Sequence, residues 1–284
     1  MSVAEAVPSA PPALPRTTLR LAWVILAILA LCVAAGPWVA PHDPLAVNLP
    51  SRLQGPSAAH WLGTDHLGRD MLSRLIVAAR ISLGSVAVTL ALILALGFLV
   101  GGLAGWAGGR IDAALMRFCD VFLTFPTFVL AMFMVGVLGT GLVNVIIAIA
   151  LSHWAWYARL VRSFVLSLKE RDYVLAARAA GASDWAIFRD HLAPQILSQM
   201  LVLATLDIGH MMLHVAGLSF LGLGVAPPTP EWGVMINDAR TFVWSQPLLV
   251  ALPGAMIFVT VLAFNRVGDA LRDRLDPALA ADAH

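Results

Sequence analysis

The stretch ISLGSVAVTLALILALGFLVGGLAGWAGG, residues 81–109, runs for 29 residues without an Asp, Glu, Lys or Arg. About 20 mostly apolar residues carry an α-helix through the hydrocarbon core of a bilayer. Backbone groups left unpaired in lipid cost several kcal/mol each, so such a run has to coil into a helix there. The same reading extends in both directions. Residues 121–158 are charge-free for 38 residues, interrupted by Gly139-Thr140-Gly141, and hold two spans if the first begins near Asp112. Toward the N-terminus, residues 21–39 make a span that stops before Pro41. Toward the C-terminus, residues 192–230 are broken only by Asp207, and residues 241–265 are unbroken. The pattern predicts an all-α polytopic membrane protein with six transmembrane helices, near 21–39, 81–107, 113–138, 142–162, 197–220 and 247–266.

The whole chain agrees with its parts. Of 284 residues, 60% are hydrophobic and 12% charged, and the mean hydropathy is +0.83. Soluble domains carry roughly 25% charge, so an ordinary soluble enzyme, a disordered chain and a nucleic-acid binder are all excluded. The formal charge of +1 offers no general attraction to polyanions. The two cysteines, Cys32 and Cys119, fall in or beside apolar runs and make neither a disulfide framework nor a zinc pattern.

Six spans place both termini on one side, and Lys and Arg select which. The termini and the segments on their side hold 13 of the 18 basic residues, while segments 40–80 and 221–246 hold the other five. Both termini are therefore expected inside. Residues 1–20, with Pro8, Pro11, Pro12 and Pro15, read as a disordered tail. Next come the first helix (21–39), an outside segment (40–80) with an amphipathic helix, a core of five helices (81–266) with an inside loop at 163–196, and a C-terminal tail (267–284). Arg16 and Arg20 before an apolar run imitate a signal peptide, but no small-x-small cleavage site follows before Pro37, and Leu31 spoils a lipobox at Cys32. The first helix is expected to stay.

The inside loop is rich in helix formers, with small residues at 176–182. Gly181 suits a helix C-cap, and Ser183 or Asp184 the N-cap of the next helix. The loop lacks the Trp/Phe/Leu face with which interfacial helices lie on lipid, so it is read as a docking knob for another protein. Residues 173–194 resemble the loop signature of ABC importer permeases, Glu-Ala-Ala-x3-Gly followed by Leu-Pro. Ala176, Ala177, Gly181 and Pro194 match it, while Leu175 and Ala193 stand where the signature has Glu and Leu. The resemblance implies the type I (MetI-like) permease fold and a coupling loop, here including Ala182, Ser183 and Asp184, that sits in a cleft of an ATPase subunit.

A second motif lies outside, from His60 to Arg74. Thr64 or Asp65 is expected to cap a helix on which Leu67, Met71, Leu72 and Leu75 form one apolar stripe and Asp70 pairs with Arg74. Gly63, Thr64, Asp65, Gly68, Arg69 and Asp70 also resemble the motif of the dipeptide, oligopeptide and nickel branch of those permeases, so the motif does not choose among cargoes.

The fifth span carries the cargo signal. Asp207, His210 and His214 fall within about a 60° arc on a helical wheel. An Asp at a helix centre costs about 2.5–3.5 kcal/mol on insertion, so such residues face a cavity or partner and mark pathways. Imidazole nitrogen with carboxylate oxygen suits a divalent transition metal such as Ni²⁺. His153 and Asp120 are candidates to extend that path, whereas Met211 and Met212 read as core filler. His60, His66, Glu231 and Asp238 are outside candidates for receiving metal, with solvated loop residues as the plainer reading. Residues 203–217, 152–159 and 233–240 resemble the nickel-import members of the branch, which implies nickel, bare or as a small chelate, as cargo; di- and oligopeptides are the alternative.

The chain has no Walker A loop, no Gly-x-Ser-x-Gly, no His-Glu-x-x-His and no cysteine pair. It is expected to be a non-catalytic subunit that binds no cofactor of its own. The resemblance implies two cytoplasmic ATPases that use ATP, a second homologous permease forming a heterodimer, a periplasmic nickel-binding protein, and residence in a bacterial inner membrane with no nucleic-acid partner.

Overall fold

A computed structural model describes residues 16–275, which build ten α-helices joined by turns. They are α1 (Arg16–Val39), α2 (Met71–Ala107), α3 (Gly109–Leu123), α4 (Thr127–Leu138), α5 (Leu142–Leu168), α6 (Asp172–Ala179), α7 (Asp184–Ile187), α8 (Ala193–Phe220), α9 (Trp232–Ala239) and α10 (Leu248–Leu275). Five unbroken helices are long and apolar enough to cross a bilayer, and the bent pair α3–α4 brings the count to six.

Several boundaries differ from expectation. Residues 16–20 belong to α1 and residues 267–275 to α10, so both expected tails shorten; their remainders, 1–15 and 276–284, lie outside the described residues. The outside amphipathic helix and the second span are a single helix, α2, whose 37 residues extend about 55 Å at about 1.5 Å per residue. It starts at Met71 because Asp70, not Thr64 or Asp65, is the N-cap and accepts the Ser73 N–H at 2.8 Å. Residues 64–70 cannot be helical. Gly63 and Gly68 both sit at φ +76°, and a Cβ on Gly68 would lie 1.8 Å from the Asn48 carbonyl oxygen. The third span, expected unbroken over 113–138, is bent by 87° between α3 and α4. Pro126 disfavours helix at the preceding residue and takes an extended ψ of 128° as the cap of α4.

The centre of the molecule is the α2–α5 contact. Gly97, Gly101 and Gly105 form a stripe on α2, where an added Cβ would meet Tyr157 Cβ at 2.5 Å, the Ala158 carbonyl oxygen at 2.2 Å and Val165 Cβ at 2.7 Å. Small residues at four-residue spacing let helix backbones meet where lipid removes the hydrophobic drive for association. Against this pair pack α8 and the fully buried Met211 and Met212. Pro194, lacking an N–H, opens α8; just before it, Phe188–Leu192 widen into a π-turn in which the Ala193 N–H reaches the Phe188 carbonyl.

Two ends of the bundle are distinct. At one, Arg74 Nη1 donates to the Pro44 and Pro228 carbonyls at 3.2 and 3.3 Å, and Gln246 to the Leu53 carbonyl at 3.4 Å. This groups 40–80 with 221–246, as the span count requires. At the other end, Lys169 donates to the Gly105 carbonyl at 3.0 Å, and Ala22 of α1 packs on Ala263 and Val267 of α10.

Candidate functional site

Midway along the bundle, α5 and α8 bring polar groups together. Asp207 Oδ2 lies 3.2 Å from His153 Nε2 and accepts the Tyr157 hydroxyl at 3.3 Å, while Oδ1 lies 3.3 Å from His210 Nδ1. One carboxylate thus gathers two imidazoles and a phenol. Three of the four expected residues meet here. His214 does not: its Nδ1 donates to the His210 carbonyl at 2.7 Å and its ring lies against Phe128. Tyr157 follows His153 by one helical turn, and that spacing is the sequence signal that places it on the same face. Asp207 and His153 keep only 14% and 17% of their side chains accessible, but His210 keeps 72%, so the node opens sideways from the chain. Asp120 is not part of it; it pairs with Arg159 on the exposed side at 3.2 Å. Arg162 holds Asp112 at 2.6 Å, and the two pairs tie α3 to α5.

The inside loop has the expected caps. Gly181 takes φ +87°, and the Ala182 N–H reaches the Ala177 carbonyl at 3.1 Å, closing α6. Ser183 Oγ accepts the Ala186 N–H at 3.3 Å, with Asp184 in the first turn of α7. Val174 and Ile187 anchor the two helices, while Ala176 and Ala179 to Gly181 face out. One expectation fails: the loop does present large groups, with Tyr173, Leu175 and Trp185 at 40%, 48% and 68% exposure. Tyr173 and Leu175 come from α6 and Trp185 from α7, so no single periodicity shows all three.

The outside motif is a knot and not a helix. Asp65 Oδ1 accepts the Leu67 and Arg69 N–H groups, and Oδ2 takes Arg69 Nε at 2.6 Å. Arg74 pairs with Asp65 at 3.5 Å, not with Asp70. Thr64 bridges strand-fashion to Asp70, which accepts His60 Nδ1 at 2.9 Å and the Ser73 hydroxyl at 2.7 Å. Burial opposes the Asp70 charge, yet the Ser73 and His60 bonds outweigh it and hold the carboxyl below its ordinary range. The solvated reading of the outside candidates is also corrected. Glu231 is fully buried, accepting from Ser82 and the Val234 N–H at 2.9 Å each; burial pushes its carboxyl up, and hydrogen bonds pull it only part-way back. Asp238 lies 3.7 Å from Arg69, and His66 stacks on Phe242.

A polytopic helical bundle with an in-membrane polar node and a capped, knob-like loop is the architecture of a transporter's membrane subunit. The chain belongs to the family of binding-protein-dependent transport system inner membrane components, which matches residues 97–281. It is the permease subunit of an ABC importer. It is 62% identical over 267 residues to the nickel transport system permease protein NikC of Escherichia coli K12, covering 94% of this chain and 96% of that one. To the probable D,D-dipeptide transport system permease protein DdpC of the same organism it is 42% identical, covering 89% and 85%. In fold it is similar to an inward-facing structure of the MetNI methionine ABC transporter, with a TM-score of 0.60 at 18% identity over 72% of this chain and 98% of that one.

Proposed function

We propose that this permease carries nickel, as the ion or a small chelate, inward across the membrane by alternating access. The observation that carries the reading is the pair of imidazoles held on the Asp207 carboxylate in mid-span, at 3.2 and 3.3 Å. Such a donor set suits a borderline transition metal and offers a peptide little. The 62% identity to NikC supports the same cargo. His210 projects outward from the single chain, where lipid would leave an imidazole unsatisfied. A second, homologous permease facing this side would turn the node toward a shared passage. Contacts there are weak and transient in this reading, since tight chelation would block release.

A periplasmic nickel-binding protein would deliver cargo at the end bearing segments 40–70 and 221–247. Two cytoplasmic ATPases, holding all the ATP chemistry, would grip α6 and α7, with both termini on their side. Exposed Tyr173 and Trp185 are the residue types that anchor protein interfaces. Cells carrying the intact operon should take up radiolabelled nickel. His210→Ala combined with His153→Ala should lower that uptake at least tenfold with normal membrane insertion. Uptake of a labelled dipeptide in place of nickel, or full nickel uptake by the double variant, overturns the assignment.

A further inference from the structure

Among the described residues, one set of three His, Cys, Asp or Glu side chains presents ligand atoms all within 4.8 Å of one another, and it is not the mid-span node. It is His42, His60 and Asp70, at the end of the bundle formed by segments 40–80 and 221–246. We propose that these three side chains bind a divalent transition-metal ion.

The geometry is that of two imidazoles converging on one carboxylate. His60 Nδ1 lies 2.9 Å from Asp70 Oδ1, His42 Nδ1 lies 3.7 Å from Asp70 Oδ2, and the two rings are 4.8 Å apart. Ligands held about 2.0–2.2 Å from a metal sit roughly 3–4 Å from each other, so small side-chain shifts admit an ion. Two nitrogens and one oxygen with open positions select nickel, cobalt, iron or zinc over calcium and magnesium, which prefer oxygen alone.

The surroundings support the ligands. The Ser73 hydroxyl donates to Asp70 Oδ2 at 2.7 Å and accepts the His42 backbone N–H at 3.0 Å, so one group positions two of the three. The His60 backbone is fixed by Ser57 Oγ at 3.0 Å and by the Gly63 N–H at 2.9 Å. Outer contacts of this kind orient metal ligands. Access is graded: 44% of the His42 side chain is exposed, 16% of His60 and 2% of Asp70. A cleft of about 310 Å³ beside Pro41, Trp61 and Asp70 leaves room for waters or a small chelator in the remaining positions. A purely structural latch accounts for His60 on Asp70. The His42 ring makes no hydrogen bond among the described residues; it stands at ion-pair distance from Asp70 and against the His60 ring, so a second imidazole faces a carboxylate that the His60 bond already holds.

As a receiving point for cargo the site rests on the nickel reading above; as a metal site it does not. The assembled transporter, freed of affinity tags and without its binding protein, is titrated with Ni²⁺ alone. The wild type should bind one more ion per permease than His42→Ala or His60→Gln, or bind it at least about tenfold more tightly. His60→Gln keeps a donor for Asp70, so a latch survives it and a metal site does not. Asp207→Asn should retain the outer ion. Wild-type stoichiometry and affinity in both histidine variants overturn the site, whatever nickel uptake shows. Loss of the ion in both, in a transporter that takes up peptide instead, upholds the site and removes its cargo role.

Discussion

Asp207 in mid-span and Glu231 in the outside segment are both largely buried carboxylates, and their neighbours give them opposite tasks. Around Asp207 stand two imidazoles and the Tyr157 hydroxyl, groups able to share charge with an incoming cation. Glu231 accepts from neutral donors, the Ser82 hydroxyl and the Val234 amide, at 2.9 Å each. It caps α9, and the Ser82 hydroxyl that donates to it also accepts the Trp232 N–H at 3.1 Å. With its folded pKa above the ordinary Glu value, Glu231 binds a proton more tightly folded than unfolded. Its contribution is therefore most favourable below the ordinary pKa and declines as pH rises through the folded one. Glu231→Gln removes the titration and keeps an acceptor for the cap. Across that window wild type should lose stability relative to Glu231→Gln, by at most about 1.4 kcal/mol per pH unit. Thermal unfolding of both proteins from pH 4 to 8 checks this, and a constant difference would mean that no such titration occurs.

At the scale of elements, two glycines do different work. Gly101 is small because the Ala158 carbonyl of α5 leaves no space for a Cβ, which would sit 2.2 Å away. A helix backbone on each side cannot yield, so Gly101→Ala should cost about 1–3 kcal/mol by overpacking. Gly84 on the same helix meets nothing within 4 Å, and Gly84→Ala should gain up to about 1 kcal/mol. Melting temperatures of the two detergent-solubilised variants should therefore move in opposite directions. Gly181, by contrast, has open space but φ +87°. Gly181→Leu strains the turn by about 1–2 kcal/mol and mis-sets α7 against α6. It should leave insertion intact while ATP hydrolysis proceeds without uptake, whereas Gly181→Asn, tolerant of that φ, should restore coupling. What the sequence made legible follows this division. Spans were readable because apolar length is a local property, and the caps at Gly181 and Ser183 because capping is. The glycine stripe and the approach of His42 to His60 depend on what packs opposite, whereas the break at Pro126 is local and only its 87° angle is not. His42 lies 28 positions before Asp70, and only the Ser73 contact and the folded 40–70 knot bring them together.

For the molecule as a whole, sidedness rests on the count of basic residues at the two ends of the bundle. Five basic residues fall on the outside segments, but Arg69 and Arg74 are each only 1% exposed, held by Asp65, Asp238 and backbone carbonyls. Their charge is matched inside the knot and adds little to what the membrane surface meets. Arg52, Arg80 and Arg240 remain exposed there; the rule counts Lys and Arg whatever their partners, so it is the excess of 13 over five that favours a cytoplasmic position for the other end. Two exposed tryptophans mark the ends, Trp61 at 67% and Trp185 at 68%. In a Cys32→Ala, Cys119→Ala background, Trp61→Cys should react with a membrane-impermeant maleimide in intact cells. Trp185→Cys should react only once the inner membrane is opened, and more slowly when the ATPase subunits are bound, because it then lies in their interface. Reaction of Trp185→Cys in intact cells would invert the topology. Labelling after opening that is indifferent to the ATPases would leave the topology standing and remove Trp185 from the docking surface.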